Sequence, residues 1–184
     1  LVNNAGIVRY GWIEEFSEDD LDQSIAINIR GTINGVRAGL PLMKATPGAT
    51  LVNIASVASL RGNPKYTIYA ATKFAIRGLT QSLDLELSRF GIRTVCIMPW
   101  SIETTLLDGS SASGDMTMRE SMQRTSQTIY GADYAADAIW EAAHGDAAEV
   151  IIGEEGAEFI RRAEANPEKL RAMLKKAVAA GNFD

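Results

Sequence analysis

Two periods of apolar residues alternate along the chain, and together they predict strands separated by helices. Short apolar runs bounded by turn residues indicate strands at residues 1–3, 50–55, 92–98 and 149–152. Apolar residues at every third or fourth position indicate helices at residues 17–44, 67–89 and 132–143, and a helical tail at 154–184 that Pro167 divides in two. Ser17 and Asp20 have the spacing of a capping box, which predicts where the first helix begins.

Strands that alternate with helices of this length predict βαβ units and a parallel sheet. Right-handed crossovers place helices on both faces of such a sheet, so we expect a doubly wound α/β fold in one domain. Ligands bind at the carboxyl ends of the strands in sheets of this kind. The run Asn-Asn-Ala-Gly at 3–6, Ser56 and Pro99 each follow a predicted strand. We therefore expect these three signals to meet at one edge of the sheet.

The chain opens on Leu1 and Val2, which resemble the end of a buried strand. We expect residues 1–184 to form the C-terminal part of a longer domain, whose N-terminal strands are absent from this chain.

Composition narrows the classes of function. The 184 residues carry a net charge of −5 without a basic run, which argues against nucleic acid as a partner. No stretch approaches 18 uninterrupted apolar residues, so we expect no membrane span. One cysteine, Cys96, excludes an internal disulfide and favours the cytoplasm. One histidine and one cysteine argue against a metal site.

The most informative local pattern is Tyr69 followed four residues later by Lys73. Positions i and i+4 share a helix face, so the phenol and the ammonium can point into one cleft. A free tyrosine has a pKa near ~10, and lowering it to about 7 needs roughly 4 kcal/mol of differential stabilisation from nearby charge. The pair therefore predicts a tuned general acid and base. The structural alternative is a surface pair in which the lysine stem packs on the ring.

Five motifs in this order resemble the short-chain dehydrogenase/reductase family. They are the run Asn-Asn-Ala-Gly at 3–6, Asn28, Ser56, Tyr69 and Lys73, with Ser56 thirteen positions before the tyrosine. The resemblance is strong over residues 1–105 and weak beyond them. It implies a Rossmann-type fold that binds NAD or NADP, and a reaction that interconverts a secondary alcohol and a ketone. The residue that chooses between the two cofactors lies upstream in that family.

The resemblance also implies roles for individual side chains. Tyr69 would exchange a proton with the substrate oxygen, while Lys73 would lower the tyrosine pKa and bind the nicotinamide ribose. Ser56 would hold the substrate oxygen, and Asn28 would anchor a water in a proton relay. A buried structural amide is the alternative for Asn28, and a turn-capping hydroxyl is the alternative for Ser56. The implied cofactor-binding residues are Asn4, Ala5, Gly6, Tyr69, Lys73, Pro99 and Thr104.

Two features of the sequence bear on the substrate pocket. Trp100 stands where the family has a glycine, and we expect its indole to narrow the pocket beside the nicotinamide. Residues 105–130 are polar and rich in small residues, which predicts a substrate loop or lid. Its methionines, Met116, Met118 and Met122, would line the pocket or pack the lid.

A small-molecule alcohol or ketone is the expected partner, and two alternative functions remain open. The enzyme alternative is a reductase of 3-oxoacyl thioesters, which the acidic charge disfavours. The non-enzyme alternative is a nucleotide-binding protein that has kept the fold and lost catalysis. The resemblance further implies a homodimer or homotetramer joined by the helices at 17–44 and 67–90, with apolar surface that includes Ile76, Leu79 and Leu83.

Overall fold

A parallel sheet forms the centre of the molecule. The structure is a computed structural model, and it describes residues 1–109, 117–124 and 127–183. Within these residues the strands lie in the order β1-β2-β3-β4, and they are β1 (Val2–Asn3), β2 (Thr50–Ile54), β3 (Arg93–Pro99) and β4 (Glu149–Ile152). Every neighbouring pair is parallel, which confirms the predicted α/β class.

Helices connect the strands at nearly the predicted bounds. They are α1 (Glu18–Ser24), α2 (Gly31–Ala45), α3 (Thr67–Ser88), α4 (Met118–Arg124), α5 (Ala132–His144), α6 (Glu154–Ala165) and α7 (Pro167–Ala179). Ser17 and Asp20 form the predicted capping box, because each side chain accepts a hydrogen bond from the other's backbone N–H at 3.2 Å. A π-helical segment, Ile25–Arg30, joins α1 to α2, and the apolar period did not predict it.

Helices cover both faces of the sheet. Val52, Val95 and Ile97 form a buried cluster with α5 on one face. On the opposite face, Leu51 packs against α2 and Cys96 packs against α3. Because successive strand residues point to opposite faces, burial on both sides makes the strand sequences almost continuously apolar. Each fully buried aliphatic side chain contributes about 1.5–3 kcal/mol, so this layering stabilises the sheet whose edge carries the site.

The predicted loop at 105–130 is described only in part. Thr105–Asp108 forms a 3-10 turn, and α4 follows it. Residues 110–116, which include Met116, and residues 125–126 lie outside the described residues. The role of this stretch as a substrate loop therefore stays a prediction. In the part of the chain that the structure describes, the helices are too short or too polar to cross a membrane.

Candidate active site

A cavity of about 630 Å³ opens at the carboxyl edge of the sheet. Its size falls within the range of about 300–1,000 Å³ that small-molecule and cofactor sites occupy. Among the residues that line it are Asn4, Ala5, Gly6, Ser56, Tyr69, Lys73, Pro99, Trp100 and Thr104. The fold therefore brings every predicted cofactor-binding residue to one cavity, together with three of the four predicted catalytic residues.

Tyr69 lies in the first turn of α3 and is only 6% exposed. Burial raises the pKa of its phenol to about 12, and a hydrogen bond with Ser56 acts in the opposite direction. Ser56 itself accepts a hydrogen bond from the Ala58 N–H at 3.1 Å, at the start of a 3-10 turn. That turn orients the serine hydroxyl towards the cavity wall it shares with the tyrosine.

Lys73 lies one helical turn after Tyr69 and is 5% exposed. Its Nζ donates to the Ile54 carbonyl at 3.0 Å and lies 5.5 Å from the centroid of the Tyr69 ring. Burial lowers the pKa of Lys73 to about 8, with a small opposing effect from Cys96. The expected lowering of the Tyr69 pKa by Lys73 together with a cofactor charge stays a prediction, while burial by itself raises this pKa. Removal from water disfavours the charged forms of both groups, so burial raises the pKa of the phenol and lowers the pKa of the ammonium.

Asn28 lies in the π-helical segment and is 2% exposed. Its Oδ1 accepts from the Ile7 N–H at 2.8 Å, while its Nδ2 donates to the Ile7 carbonyl at 2.9 Å and to Thr72 Oγ1 at 3.0 Å. Thr72 in turn donates to the Tyr69 carbonyl at 2.8 Å. These bonds tie the loop after β1 to the helix that carries the tyrosine. They favour a structural amide, and the water-anchoring role stays a prediction.

Gly6 leaves space beside the lysine. A Cβ built at this position would lie 3.3 Å from Asn28 Oδ1 and 3.6 Å from Lys73 Nζ. A side chain here would therefore fill the part of the cavity next to the ammonium, where the family resemblance expects the nicotinamide ribose. The polar groups and the open volume fit that half of a dinucleotide. No group of three or more His, Cys, Asp or Glu that could hold a metal ion occurs within the described ranges.

Asn53, Thr72 and Thr80 help to position the site, and they were not predicted from the sequence. Asn3 donates to Asn53 Oδ1 at 2.8 Å, and Asn53 donates to Thr80 Oγ1 at 3.1 Å. This chain of hydrogen bonds links β1, β2 and α3 beneath the cavity. An amide inside the apolar run of β2 was the available signal for Asn53, which is fully buried. Thr72 and Thr80 gave no comparable signal.

Trp100 lines the cavity, but its ring packs against α6. The indole lies 5.4 Å from the Phe159 ring, and a Cβ built at Gly156 would lie 2.9 Å from indole atoms. A Cβ built at Gly153, which has φ +104°, would lie 3.0 Å from the Trp100 Cβ. Gly153 and Gly156 therefore leave the space in which the Trp100 side chain packs. Its effect on the width of the pocket stays a prediction.

Comparisons with known proteins agree with the resemblance. Residues 1–115 match the family model described as short chain dehydrogenase. The chain is 40% identical over 108 residues to the 3-alpha-(or 20-beta)-hydroxysteroid dehydrogenase of Mycobacterium tuberculosis strain H37Rv. The match covers 59% of this chain and 42% of that protein. The chain spans about two fifths of the length of the curated relatives that it matches at this identity.

Two solved structures from Burkholderia cenocepacia J2315 have similar folds. A short chain dehydrogenase in complex with NADP superposes with a TM-score of 0.78 at 24% identity, over 95% of this chain and 67% of that one. A gluconate 5-dehydrogenase in complex with NADP and tartrate superposes with a TM-score of 0.69 at 28% identity, over 86% of this chain and 64% of that one.

Proposed function

The chain belongs to the short-chain dehydrogenase family, and on that premise we propose that it is an oxidoreductase that uses NAD or NADP to interconvert a secondary alcohol and a ketone. The observation that carries the proposal is the convergence of Ser56, Tyr69 and Lys73 on one cavity, beside the space that Gly6 leaves open. The NADP bound in the similar gluconate 5-dehydrogenase structure supports a nicotinamide cofactor for this protein.

The protonation states suit the direction of reduction. With a pKa of about 12, the Tyr69 phenol keeps its proton at neutral pH and can donate it to a substrate oxygen. Ser56 would hold that oxygen through its hydroxyl, which shares the cavity wall with the phenol. A bound nicotinamide supplies the carbon that gives or takes the hydride. In oxidation the same phenol must first lose its proton, which needs added positive charge nearby.

Lys73 is the protein group placed to supply part of that charge. Its Nζ has one described acceptor, the Ile54 carbonyl, and faces the space beside Gly6. Ribose hydroxyls in that space would accept further hydrogen bonds from the ammonium. An ammonium with a pKa of about 8 is mostly protonated at neutral pH, so it can stabilise a phenolate during the oxidative direction.

The test is a screen of the full-length protein with alcohols and ketones, each with NAD(H) and NADP(H), followed by the absorbance of the reduced nicotinamide. Tyr69→Phe should lower kcat by roughly 10²–10⁴, the usual contribution of a general acid or base. Circular dichroism should show that the variant is folded, since the ring and its packing remain. Full turnover by Tyr69→Phe would contradict the proposed mechanism.

We also propose that the protein is a cytoplasmic homodimer or homotetramer. The expectation for Ile76 is wrong, because it is 1% exposed, whereas Leu79 and Leu83 are half-buried against the chain's own core and stay predicted contacts. Other apolar side chains of α2 and α3 are exposed instead, namely Ile33, Leu42, Phe74 and Leu85. Multi-angle light scattering on the full-length protein would test this, and a monomer at micromolar concentration would contradict it.

A further inference from the structure

One arginine outside the cavity joins two of its walls. Arg119 on α4 donates to both carboxylate oxygens of Glu103, at 2.9 and 2.6 Å. The same guanidinium donates to both oxygens of Asp108, at 2.5 and 3.2 Å. Arg119 is 25% exposed, whereas the two carboxylates are 52% and 56% exposed. Two bidentate pairs on one side chain fix its orientation far better than a single surface ion pair does.

The two joined segments both line the cavity. The segment from Glu103 to Asp108 contributes Thr104 and Leu107 to the wall. On the other segment, α4 contributes Met118 and Met122, the residues that flank Arg119 on the inner side of the helix. Both methionines are buried in the same cluster as Tyr69. The guanidinium therefore lies outside the cavity. Its ion pairs set the distance from Thr104, an expected cofactor contact, to Met118 and Met122, which are in the same buried cluster as Tyr69.

This arrangement differs from the exposed arginine pairs within α6. Arg161 and Arg162 pair with Glu158, which lies on the same helix. Such pairs support one helix and leave the spacing of separate elements unchanged. Arg119 instead joins the seven-residue helix α4 to the segment that follows β3. The pairing also lowers the pKa of both Glu103 and Asp108, so the carboxylates stay charged at neutral pH.

We propose that Arg119 is a positioning residue, which holds α4 against the Glu103–Asp108 segment and thereby sets the affinity of the cavity for the nicotinamide cofactor. The inference rests on the proposed function, because the cofactor is expected at Thr104. Arg119 touches no reacting atom. Its loss should weaken binding and leave the proton transfer at Tyr69 nearly unchanged.

The first experiment compares Arg119→Met with the full-length wild type and with Arg161→Met. The methionine keeps most of the side-chain volume and removes the charge. Arg119→Met should raise the KM of the cofactor roughly threefold to tenfold, with kcat changed less than about twofold. Arg161→Met also removes an ion pair, but that arginine is not among the residues that line the cavity. The cofactor KM of this variant should therefore match that of the wild type. An unchanged KM in Arg119→Met overturns the proposal, as does an equal fall of kcat and kcat/KM.

Variants of Glu103 and Asp108 provide a second, independent experiment. In the Glu103→Gln/Asp108→Asn background, Arg119→Met should cause no further rise in KM, because the partners are already gone. Added salt should raise the cofactor KM of the wild type more than that of Arg119→Met, since the exposed pairs are screened. Additive effects in the combined variant, or equal salt responses, would overturn the proposal, because Arg119 would then not act through Glu103 and Asp108.

Hydrogen exchange separates a failure of this inference from a failure of the proposed function. Without any cofactor, the amides of Met118–Arg124 should exchange faster in Arg119→Met than in the wild type or in Arg161→Met. This measurement needs no turnover, so it remains decisive if the screen finds no oxidoreductase activity. Equal exchange in the three proteins overturns the proposal.

Discussion

Asn28 allows a direct test of whether a predicted catalytic residue has a structural task. In the structure its side chain makes three hydrogen bonds, two part-buried ones with the backbone of Ile7 and a buried one with Thr72. Each intramolecular hydrogen bond contributes about 0.5–1.5 kcal/mol net, and partners left buried without a bond cost more. Asn28→Ala should therefore lower the free energy of unfolding by about 2–4 kcal/mol.

The matched control lies on the next helix. Asn34 in α2 is exposed, so Asn34→Ala exchanges the same residue types without breaking a buried network. Its effect should stay within about 0.7 kcal/mol, in the stabilising direction, because alanine is the better helix former. Urea unfolding followed by tryptophan fluorescence measures both variants under the same conditions.

The hydrogen bond between Asn28 and Thr72 can be tested separately. Thr72→Val removes the partner of Asn28 and of the Tyr69 carbonyl while it keeps the side-chain shape. The double variant with Asn28→Ala should lose less stability than the sum of the single losses, by roughly 0.5–1.5 kcal/mol. If Asn28→Ala costs less than about 1 kcal/mol and the effects are additive, the bonds described here are not what holds the loop after β1.

Two other predictions concern stability. Lys73 has a folded pKa of about 8 against an ordinary 10.5, so at this group the unfolded chain binds more protons between these pH values, and the contribution of Lys73 to stability should rise with pH from about 8 towards 10, by up to about 3 kcal/mol. Lys73→Met should lose this rise in urea unfolding, and equal pH profiles would contradict the assignment. Gly156→Ala should cost about 1–3 kcal/mol in thermal or urea unfolding, because its Cβ would meet the Trp100 indole. The control Gly78→Ala, where nothing lies within 4 Å of the Cβ, should stabilise α3 by up to about 1 kcal/mol, and equal effects of the two would refute the packing argument.

The elements of this fold were predictable because their signals are local. The expected strand at 50–55 is Thr50–Ile54, and the expected helix at 67–89 is Thr67–Ser88. Apolar period, the Ser17 cap and the break at Pro167 each act within a few residues, so the sequence shows them directly. The convergence of the site was predictable for a related reason. Parallel strands bring their carboxyl ends to one edge, wherever the residues lie in the chain.

Other features depended on distant partners. The π-helical segment at Ile25–Arg30 places Asn28 against the loop after β1 and Thr72, and no local pattern specifies that contact. Asn53 pairs with Asn3 because two strands adopt a particular register. Ile76 faces the core, although its period alone allowed either side of α3.

The sequence by itself determined the order of strands and helices and the kinds of side chain at the sheet edge. Only the tertiary structure decided the protonation of Tyr69 and Lys73, whose charged forms are both disfavoured by burial. Only the tertiary structure placed Arg119 against two carboxylates on another segment. The physical reason is the same in both cases: desolvation and ion pairing depend on which atoms surround a group in space, and the chain brings those atoms from many positions along its length.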